Sequence, residues 1–189
     1  MLAIACMMKT SDTLSRRSFL KGGLALAACA AVPAFARASF TEPARSLHFY
    51  NTHTGETVKT VYWEEGAYLP DALKDISYVL RDHRTGDMEA MDKRLLDTLA
   101  TLHQTLGSRK PFEVISGYRS PRSNALLHAH SNGVASNSMH LYGKAIDIRL
   151  TDRSLASVRN AALAMQQGGV GYYPSSNFVH VDTGPVRRW

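Results

Sequence analysis

The N-terminal leader constrains the fold most, because it carries every cysteine of the chain. Residues 15–21 read Ser-Arg-Arg-Ser-Phe-Leu-Lys, and the apolar stretch 22–32 follows. This order is typical of a twin-arginine export signal, and Ala34-Phe35-Ala36 offers a small-x-small site for signal peptidase. The apolar stretch is shorter than the roughly 20 residues that a membrane span needs. We therefore predict a signal peptide over 1–36 and one mature domain over 37–189.

The two cysteines, Cys6 and Cys29, both precede the predicted cut. A mature chain without cysteine has no disulfides even in an oxidising compartment, so a hydrophobic core must stabilise it. Residues 37–189 are long enough for one such core. A second processing route stays open, because Leu26-Ala27-Ala28-Cys29 resembles a lipoprotein box in which Cys29 would be acylated.

The charge of the predicted mature domain is modest. Four of the 22 basic residues and one of the 16 acidic residues lie in the leader, so the net charge falls from +6 to +3. No stripe of Lys and Arg with interleaved aromatic residues remains, which argues against a nucleic-acid partner. A mildly basic exported protein suits an anionic polymer.

The mature sequence alternates strand-like and helix-like segments, which predicts an α+β domain. A β-hairpin with its turn at Thr54-Gly55 is predicted over residues 47–63. Apolar periodicity and end signals predict helices over 92–106 and 154–166. Two more helices are predicted over 70–83 and, as a polar helix, over 123–130. Further strands are predicted over 112–116, 144–150, 170–173 and 178–182. The polar residues 131–139 predict an exposed loop.

A histidine and an aspartate within residues 137–150 are candidate metal ligands. His140 lies at the end of the predicted loop, and strand periodicity turns Asp147 to the same face as Ala145 and Arg149. A catalytic zinc usually takes three ligands from His, Asp and Glu and leaves one position for water. The alternative is that His140 is a surface histidine and Asp147 lies on the solvent face of a sheet.

A second histidine could complete the set. His180 lies in the otherwise apolar strand 178–182, where a buried imidazole needs a polar partner. Asp182 shares its face. If this strand pairs beside the strand that carries Asp147, His140 could join Asp147 and His180 around one ion.

Several motifs resemble those of zinc peptidases related to D-alanyl-D-alanine carboxypeptidases, of the hedgehog-type superfamily. Residues 138–147, Ser-Met-His-Leu-Tyr-Gly-Lys-Ala-Ile-Asp, are similar to the S-x-H-x-x-G-x-A-x-D signature, and residues 116–120, Ser-Gly-Tyr-Arg-Ser, to the S-G-Y/F-R-S element. Gly-Gly-Val-Gly-Tyr-Tyr-Pro and Phe-Val-His-Val-Asp-Thr-Gly-Pro follow near the C-terminus. Together they resemble the murein endopeptidase K group over nearly all of residues 45–189.

The resemblance implies an α+β fold with a small antiparallel sheet and helices packed on one side. It also implies an exported, periplasmic zinc endopeptidase that hydrolyses cross-links between the stem peptides of peptidoglycan. The preferred link would join two meso-diaminopimelate residues, with D-Ala to meso-diaminopimelate links as a further substrate. We expect a monomer without a membrane span.

The same resemblance implies roles for individual residues. Zn²⁺ would be held by His140, Asp147 and His180. Arg119 would hold a carboxylate of the substrate, which its planar fork suits. Tyr172 and Tyr173 of the predicted strand 170–173 are both candidates for the substrate groove, one of them being expected in the core, and we assign Tyr172 to the groove.

One departure from the family pattern concerns the general base. Many relatives carry Glu, Asp or His two or three residues before the last ligand, whereas Asn177 and Phe178 stand here. Neither takes a proton from water at neutral pH. Asp182 is the nearest carboxylate and our candidate catalytic residue, and it could equally orient a ligand histidine. His128 and His130 could also face the cleft.

Two other functions therefore stay open. A wall-binding module that keeps the metal site without catalysis would need no base. A zinc carboxypeptidase or amidase would act on the same polymer at a different bond.

Overall fold

A computed structural model describes residues 42–130 and 133–189. The predicted signal peptide and both cysteines lie outside these residues. The strands are β1 (Arg45–Asn51), β2 (Thr57–Glu64), β3 (Ala67–Tyr68), β4 (Phe112–Ser116), β5 (Ala145–Arg149), β6 (Gly169–Tyr173), β7 (Phe178–Asp182) and β8 (Arg187–Arg188). The helices are α1 (Pro70–Val79), α2 (Lys93–Leu106), α3 (Pro121–His130), α4 (Leu155–Met165) and a short 3₁₀ helix, Met139–Tyr142.

The strands form one sheet in the order β3-β2-β1-β4-β5-β7-β6-β8. Its pairings are antiparallel except β1 with β4 and β6 with β8, which are parallel. The α+β class is confirmed. The sheet is larger than the small antiparallel one that we expected, because two-residue strands extend both edges and because these parallel pairings join its parts.

One face of the sheet carries the hydrophobic core, and α1, α2 and α4 pack against it. Strand periodicity explains the separation, since alternate residues of each central strand point to the helices. Burial of each such side chain contributes about 1.5–3 kcal/mol. The core side chains of the central strands are Phe49, Phe112, Val114, Ile146, Ile148, Val179 and Val181. The polar residues of the same strands are left for the opposite face.

Helix α2 agrees with its prediction because both ends carry capping signals. The Asp92 carboxylate accepts a hydrogen bond from the amide of Arg94 at 2.8 Å, and Gly107 ends the helix in the left-handed region, with φ of 59°. Among the residues that the structure describes, no helix is long and apolar enough to cross a membrane.

Helix α1 ends at Val79, four residues before the predicted end at His83. Tertiary contacts explain the difference, because the Leu80 carbonyl accepts from the amide of Tyr118 at 2.8 Å. The Asp82 carboxylate accepts from the amide and the hydroxyl of Ser120 at 2.9 and 2.7 Å. These bonds draw the end of α1 toward the polar face and fix the segment that precedes α3.

Candidate metal centre

Strands β5 and β7 pair so that Asp147 lies directly opposite His180. In the same register Ile146 faces Val181 on the core side. Both polar side chains therefore project from the other face of the sheet, and both are buried. The strand pairing that a metal site requires is therefore present.

His140 reaches this face from the 3₁₀ helix Met139–Tyr142. The Ser138 hydroxyl caps the helix by accepting from the amide of His140, and Gly143 ends it with φ of 62°. Only glycine fits there, because a Cβ at this position would collide with the Ala90 carbonyl. The Ser138 cap before His140 and the Gly143 turn after it thus fix the position of His140.

The three side chains bring one donor atom each to a common point. His180 Nδ1 lies 2.9 Å from Asp147 Oδ1, and His140 Nε2 lies 3.4 Å from the same oxygen and 3.2 Å from His180 Nδ1. A tetrahedral zinc with bonds of about 2.0 Å places neighbouring ligand atoms about 3.3 Å apart. The group has the spacing, the burial and the donor types of a metal site.

The second nitrogen of each histidine is also bonded. His140 Nδ1 lies 2.6 Å from the carbonyl oxygen of Gly117, and His180 Nε2 lies 2.9 Å from Asp182 Oδ2. A carbonyl accepts only, so His140 carries its hydrogen on Nδ1 and leaves Nε2 free to ligate. Such partners fix the tautomer and orientation of ligand histidines.

Asp182 has no oxygen left for a reaction. Its side chain is 1% exposed, and its oxygens accept from the amides of Gly169 and Gly184 at 3.1 and 2.8 Å. Arg187 donates to both oxygens, at 3.1 and 2.7 Å. The assignment of Asp182 as a catalytic residue is therefore corrected: its position suits the alternative, in which it orients His180.

The carboxylates of the site and His180 shift one another's pKa values toward the charged forms. Burial by itself would raise the pKa of Asp147, but the adjacent His140 and His180 hold that pKa well below its usual value. Burial would likewise raise the pKa of Asp182, and hydrogen bonds from His180, Gly184 and Arg187 lower it instead. For His180, burial opposes the charge, yet both carboxylates raise its pKa to about 9.

Arg119 follows β4 and is 8% exposed. Its Nη2 lies 3.8 Å from Asp147 Oδ2 and donates to Ser116 Oγ at 3.4 Å, while Nη1 donates to Asn124 Oδ1 at 3.3 Å. These bonds are long, and Nε has no hydrogen-bond partner among the residues that the structure describes. The guanidinium group is thus held beside the candidate metal ligands with donor capacity to spare.

A cavity of about 560 Å³ opens over the three candidate ligands. Residues 133–139, predicted only as an exposed loop, supply one side of it. His128 and His130 are not among its lining residues, since their rings bond to the carbonyls of Val134 and Leu126. Within the described residues, Asp147 is the only carboxylate that lines the cavity.

Tyr173, and not Tyr172, lines this cavity. Tyr172 of β6 pairs with Val179 of β7, a core residue. The Tyr172 ring therefore lies on the core side of the sheet, where it contacts the guanidinium of Arg159. The placement of Tyr172 in the substrate groove is therefore corrected, because alternation along β6 turns its neighbour to the polar face instead.

Two residues of the site were missed by sequence reasoning, Arg187 and Trp189. Both line the cavity, and the Trp189 ring lies 5.2 Å from the ring of His180. The signal for them was a pair of glycines two residues apart in β6. A Cβ at Gly169 would meet the Arg187 guanidinium, and one at Gly171 would meet the Trp189 indole.

An α+β domain with a buried His-Asp-His group beneath an open cavity has the makeup of a metal-dependent hydrolase. Residues 39–189 match the sequence model of a family described as peptidoglycan L,D-endopeptidase MepK. The chain belongs to this peptidase family. A second match, over residues 13–33, is to the twin-arginine translocation signal, which confirms that prediction and supports export across the cytoplasmic membrane.

Relatives of similar length are known. The chain is 44% identical over 183 residues to the peptidoglycan L,D-endopeptidase MepK of Escherichia coli K12, covering 96% of this chain and 100% of that protein. The values for the Shigella flexneri protein of the same name are identical. A probable peptidoglycan L,D-endopeptidase MepK of Haemophilus influenzae is 40% identical, with coverage of 96% and 98%.

Proposed function

We propose that this protein is an exported zinc endopeptidase that hydrolyses cross-links between peptidoglycan stem peptides. The observation that carries the proposal is the meeting of His140, Asp147 and His180 at 2.9 to 3.4 Å beneath a cavity. The names of the relatives support peptidoglycan as the substrate and an L,D bond as the bond that is cut. We assign the preferred bond to links between two meso-diaminopimelate residues, with D-Ala to meso-diaminopimelate links as a further substrate.

Zinc is the metal that suits this donor set. Two imidazoles and one carboxylate are typical of catalytic zinc sites, which keep a fourth position for water or substrate. Zinc held there would polarise the scissile carbonyl and lower the pKa of water. The chain would supply His140 Nε2, His180 Nδ1 and an oxygen of Asp147.

The other residues of the site bind and orient. Within residues 42–130 and 133–189, Arg119 Nε has no partner and both terminal nitrogens make long bonds. This supports its role as the partner of a substrate carboxylate. Asp182 keeps His180 in the tautomer that presents Nδ1 to the metal, because its carboxylate accepts the hydrogen on Nε2.

A wall-binding module is the second candidate, and one observation favours it. Asn177 and Phe178, which precede His180, supply no base, and among the described lining residues Asp147 alone has a carboxylate. If Asp147 is a metal ligand, no separate carboxylate is available to take a proton from water. A protein of this kind would bind zinc and peptidoglycan without cleaving it.

Processing and location extend the proposal. The leader is removed after Ala36 and the mature domain, residues 37–189, acts in the periplasm as a monomer. The start of the family match at residue 39 supports this boundary. Acylation at Cys29 is the alternative, and the mass of the mature N-terminus distinguishes the two.

The decisive experiment is a digest of purified cross-linked muropeptides by the mature protein, with and without a chelator, followed by mass spectrometry. We expect dimers joined through two meso-diaminopimelate residues to be split, and the chelator to stop the reaction. Loss of a terminal residue would indicate a carboxypeptidase, and separation of sugar from peptide an amidase. Intact dimers with zinc still bound would favour the wall-binding module.

A variant tests the ligand assignment. We expect His180→Ala to lose both bound zinc and cleavage, because one of three protein ligands is removed. An active His180→Ala protein with a full zinc content would refute the assignment.

A further inference from the structure

One side of the cavity is formed by Tyr173 and Trp189, which we call the aromatic wall. The indole N–H of Trp189 donates to the hydroxyl oxygen of Tyr173 at 2.6 Å. The Tyr173 ring stacks on Phe178 with 4.6 Å between centroids, and the Trp189 ring lies 5.2 Å from that of His180. The wall therefore begins at the candidate metal ligands and extends away from them.

Several contacts fix the aromatic wall in place. The amide of Trp189 donates to the Val170 carbonyl at 3.3 Å, and its carbonyl accepts from the amide of Tyr172 at 3.0 Å. Gly171 leaves the space that the indole fills. Arg187, two residues earlier, holds both oxygens of Asp182 and lies 5.0 Å from the indole. Although Trp189 is 50% exposed, its position is defined by the sheet.

The hydrogen bond within the wall determines what the Tyr173 hydroxyl can do. An indole N–H only donates, so the hydroxyl oxygen accepts it and the hydroxyl hydrogen points elsewhere. Within residues 42–130 and 133–189 this hydroxyl has no other hydrogen-bond partner. The Tyr173 hydroxyl can therefore donate a hydrogen bond to a molecule bound in the cavity.

We propose that the Tyr173 hydroxyl donates a hydrogen bond to a main-chain carbonyl of the bound stem peptide, and that Trp189 sets the direction of this bond. This inference rests on the proposed function, since it concerns how the same cavity holds its substrate. Tyr173 is then a specificity residue that touches the substrate, and Trp189 is a positioning residue that acts through it.

The position of Arg119 in the cavity decides which acceptor of the substrate reaches the aromatic wall. The aromatic wall offers a hydroxyl and an indole N–H, and the nearby Arg187 charge is paired with Asp182. A substrate carboxylate would be drawn to the guanidinium of Arg119, whose Nε has no partner. The main-chain carbonyls of the stem peptide are then the acceptors left for the Tyr173 hydroxyl.

The test compares Tyr173→Phe, Trp189→Phe and the double variant with the zinc-bound wild type. Tyr173→Phe removes the hydroxyl and keeps the ring on Phe178. Two quantities are measured for each protein: kcat and KM on a cross-linked dimer, and the Kd of an uncross-linked stem peptide by calorimetry. Zinc content and melting temperature are measured alongside, and Tyr50→Phe, on the exposed part of β1, serves as the control.

We expect KM and Kd to rise about 3- to 10-fold in Tyr173→Phe, the loss of one neutral hydrogen bond, with kcat nearly unchanged. Trp189→Phe should raise KM and Kd as well. The Kd of the double variant should not exceed the larger of the two single-variant Kd values, because both changes remove the same bond. Tyr172→Phe should resemble the control.

Unchanged KM and Kd in a zinc-replete Tyr173→Phe protein would overturn the proposal. Fully additive effects on Kd in the double variant would overturn the role of Trp189. If the wild type splits no dimer, the proposed function fails separately. The Kd series with the stem peptide then decides the inference: a weaker Kd in Tyr173→Phe upholds the hydrogen bond, and an unchanged Kd or no binding by the wild type overturns it.

Discussion

At the scale of single residues, each candidate ligand histidine uses one ring nitrogen for the metal group and the other for a partner. His140 bonds to the Gly117 carbonyl and His180 to the Asp182 carboxylate. The first partner is a neutral carbonyl and the second is a charged carboxylate. The pKa of His180 is raised to about 9 by the carboxylates on either side of it, against the opposing effect of burial.

The role assigned to Asp182 leads to a prediction for Asp182→Asn. The amide keeps the size of the side chain but removes the charge that orients His180, so zinc affinity should fall about 10- to 100-fold. Competition with a chromophoric chelator measures the affinity. Glu113→Gln is the matched control, because it breaks an ion pair with Arg149 on the neighbouring strand and lies outside the cavity. Equal affinities for both variants would contradict the role of Asp182.

The raised pKa of His180 predicts how zinc binding depends on pH. In the metal-free protein the proton on His180 stabilises the fold fully below the unfolded pKa of 6.5, and this contribution is lost as pH rises through about 9. Zinc must displace that proton, so its affinity should rise with pH between these values, by up to about tenfold per unit.

Calorimetry in buffers of different ionisation enthalpy measures this proton release. Near pH 7.5 the observed heat should depend on the buffer, with about one proton released from His180 per zinc. Heats that are independent of the buffer would show that His180 is already neutral in the metal-free protein.

At the scale of elements, the site depends on a strand pair and on one short 3₁₀ helix. The strands β5 and β7 fix Asp147 and His180 through their register. The 3₁₀ helix fixes His140 and ends at Gly143, whose backbone approaches the Ala90 carbonyl closely. The position of His140 thus depends on a contact between main-chain atoms.

Gly143→Ala tests this dependence. The methyl group would collide with the Ala90 carbonyl, so we expect a loss of about 2 kcal/mol in the free energy of unfolding and weaker zinc retention. Gly86→Ala is the control, because Gly86 also has a positive φ, 79°, but no atom near its Cβ position. Urea unfolding of both variants separates the collision from the cost of the backbone conformation. Equal losses would mean that the close approach is unimportant.

Most elements could be predicted from the sequence, and the exceptions have physical reasons. Periodicity and caps suffice for α2 and for β5 and β7. The two-residue strands β3 and β8 are too short to show a pattern, and the early end of α1 depends on bonds to Ser120 and Tyr118, which no local signal reveals.

The site divides in the same way. The three candidate ligands were predicted because two lie at fixed spacing in one motif and the third shares an apolar strand with Asp182. The aromatic wall was missed because Trp189 reaches the site only through its pairing beside β6. Tyr172 was assigned to the groove in place of Tyr173 because alternation along β6 separates the two rings but does not by itself say which of them faces the core.

At the scale of the whole molecule, metal binding and folding should be coupled. The donor atoms come from three separate segments, and no unfolded chain brings them together. A ligand that binds only the folded state stabilises it by RT ln(1 + [L]/Kd), about 2.7 kcal/mol when free zinc is 100 times its Kd. We expect the melting temperature to fall when a chelator is added. His180→Ala should melt at the same temperature with or without the chelator, and a wild type that does so would contradict the coupling.

Strand β5 has one further consequence, because its two faces serve different purposes. Ile146 and Ile148 fill the core, while Asp147 between them faces the cavity. A shift of one residue in the pairing register of β5 would bury the Asp147 carboxylate in the hydrophobic core and turn Ile146 and Ile148 to the opposite face. A mispaired chain of this kind would be unstable and inert for a single reason. Quality control that removes misfolded copies would therefore remove the defective catalysts as well.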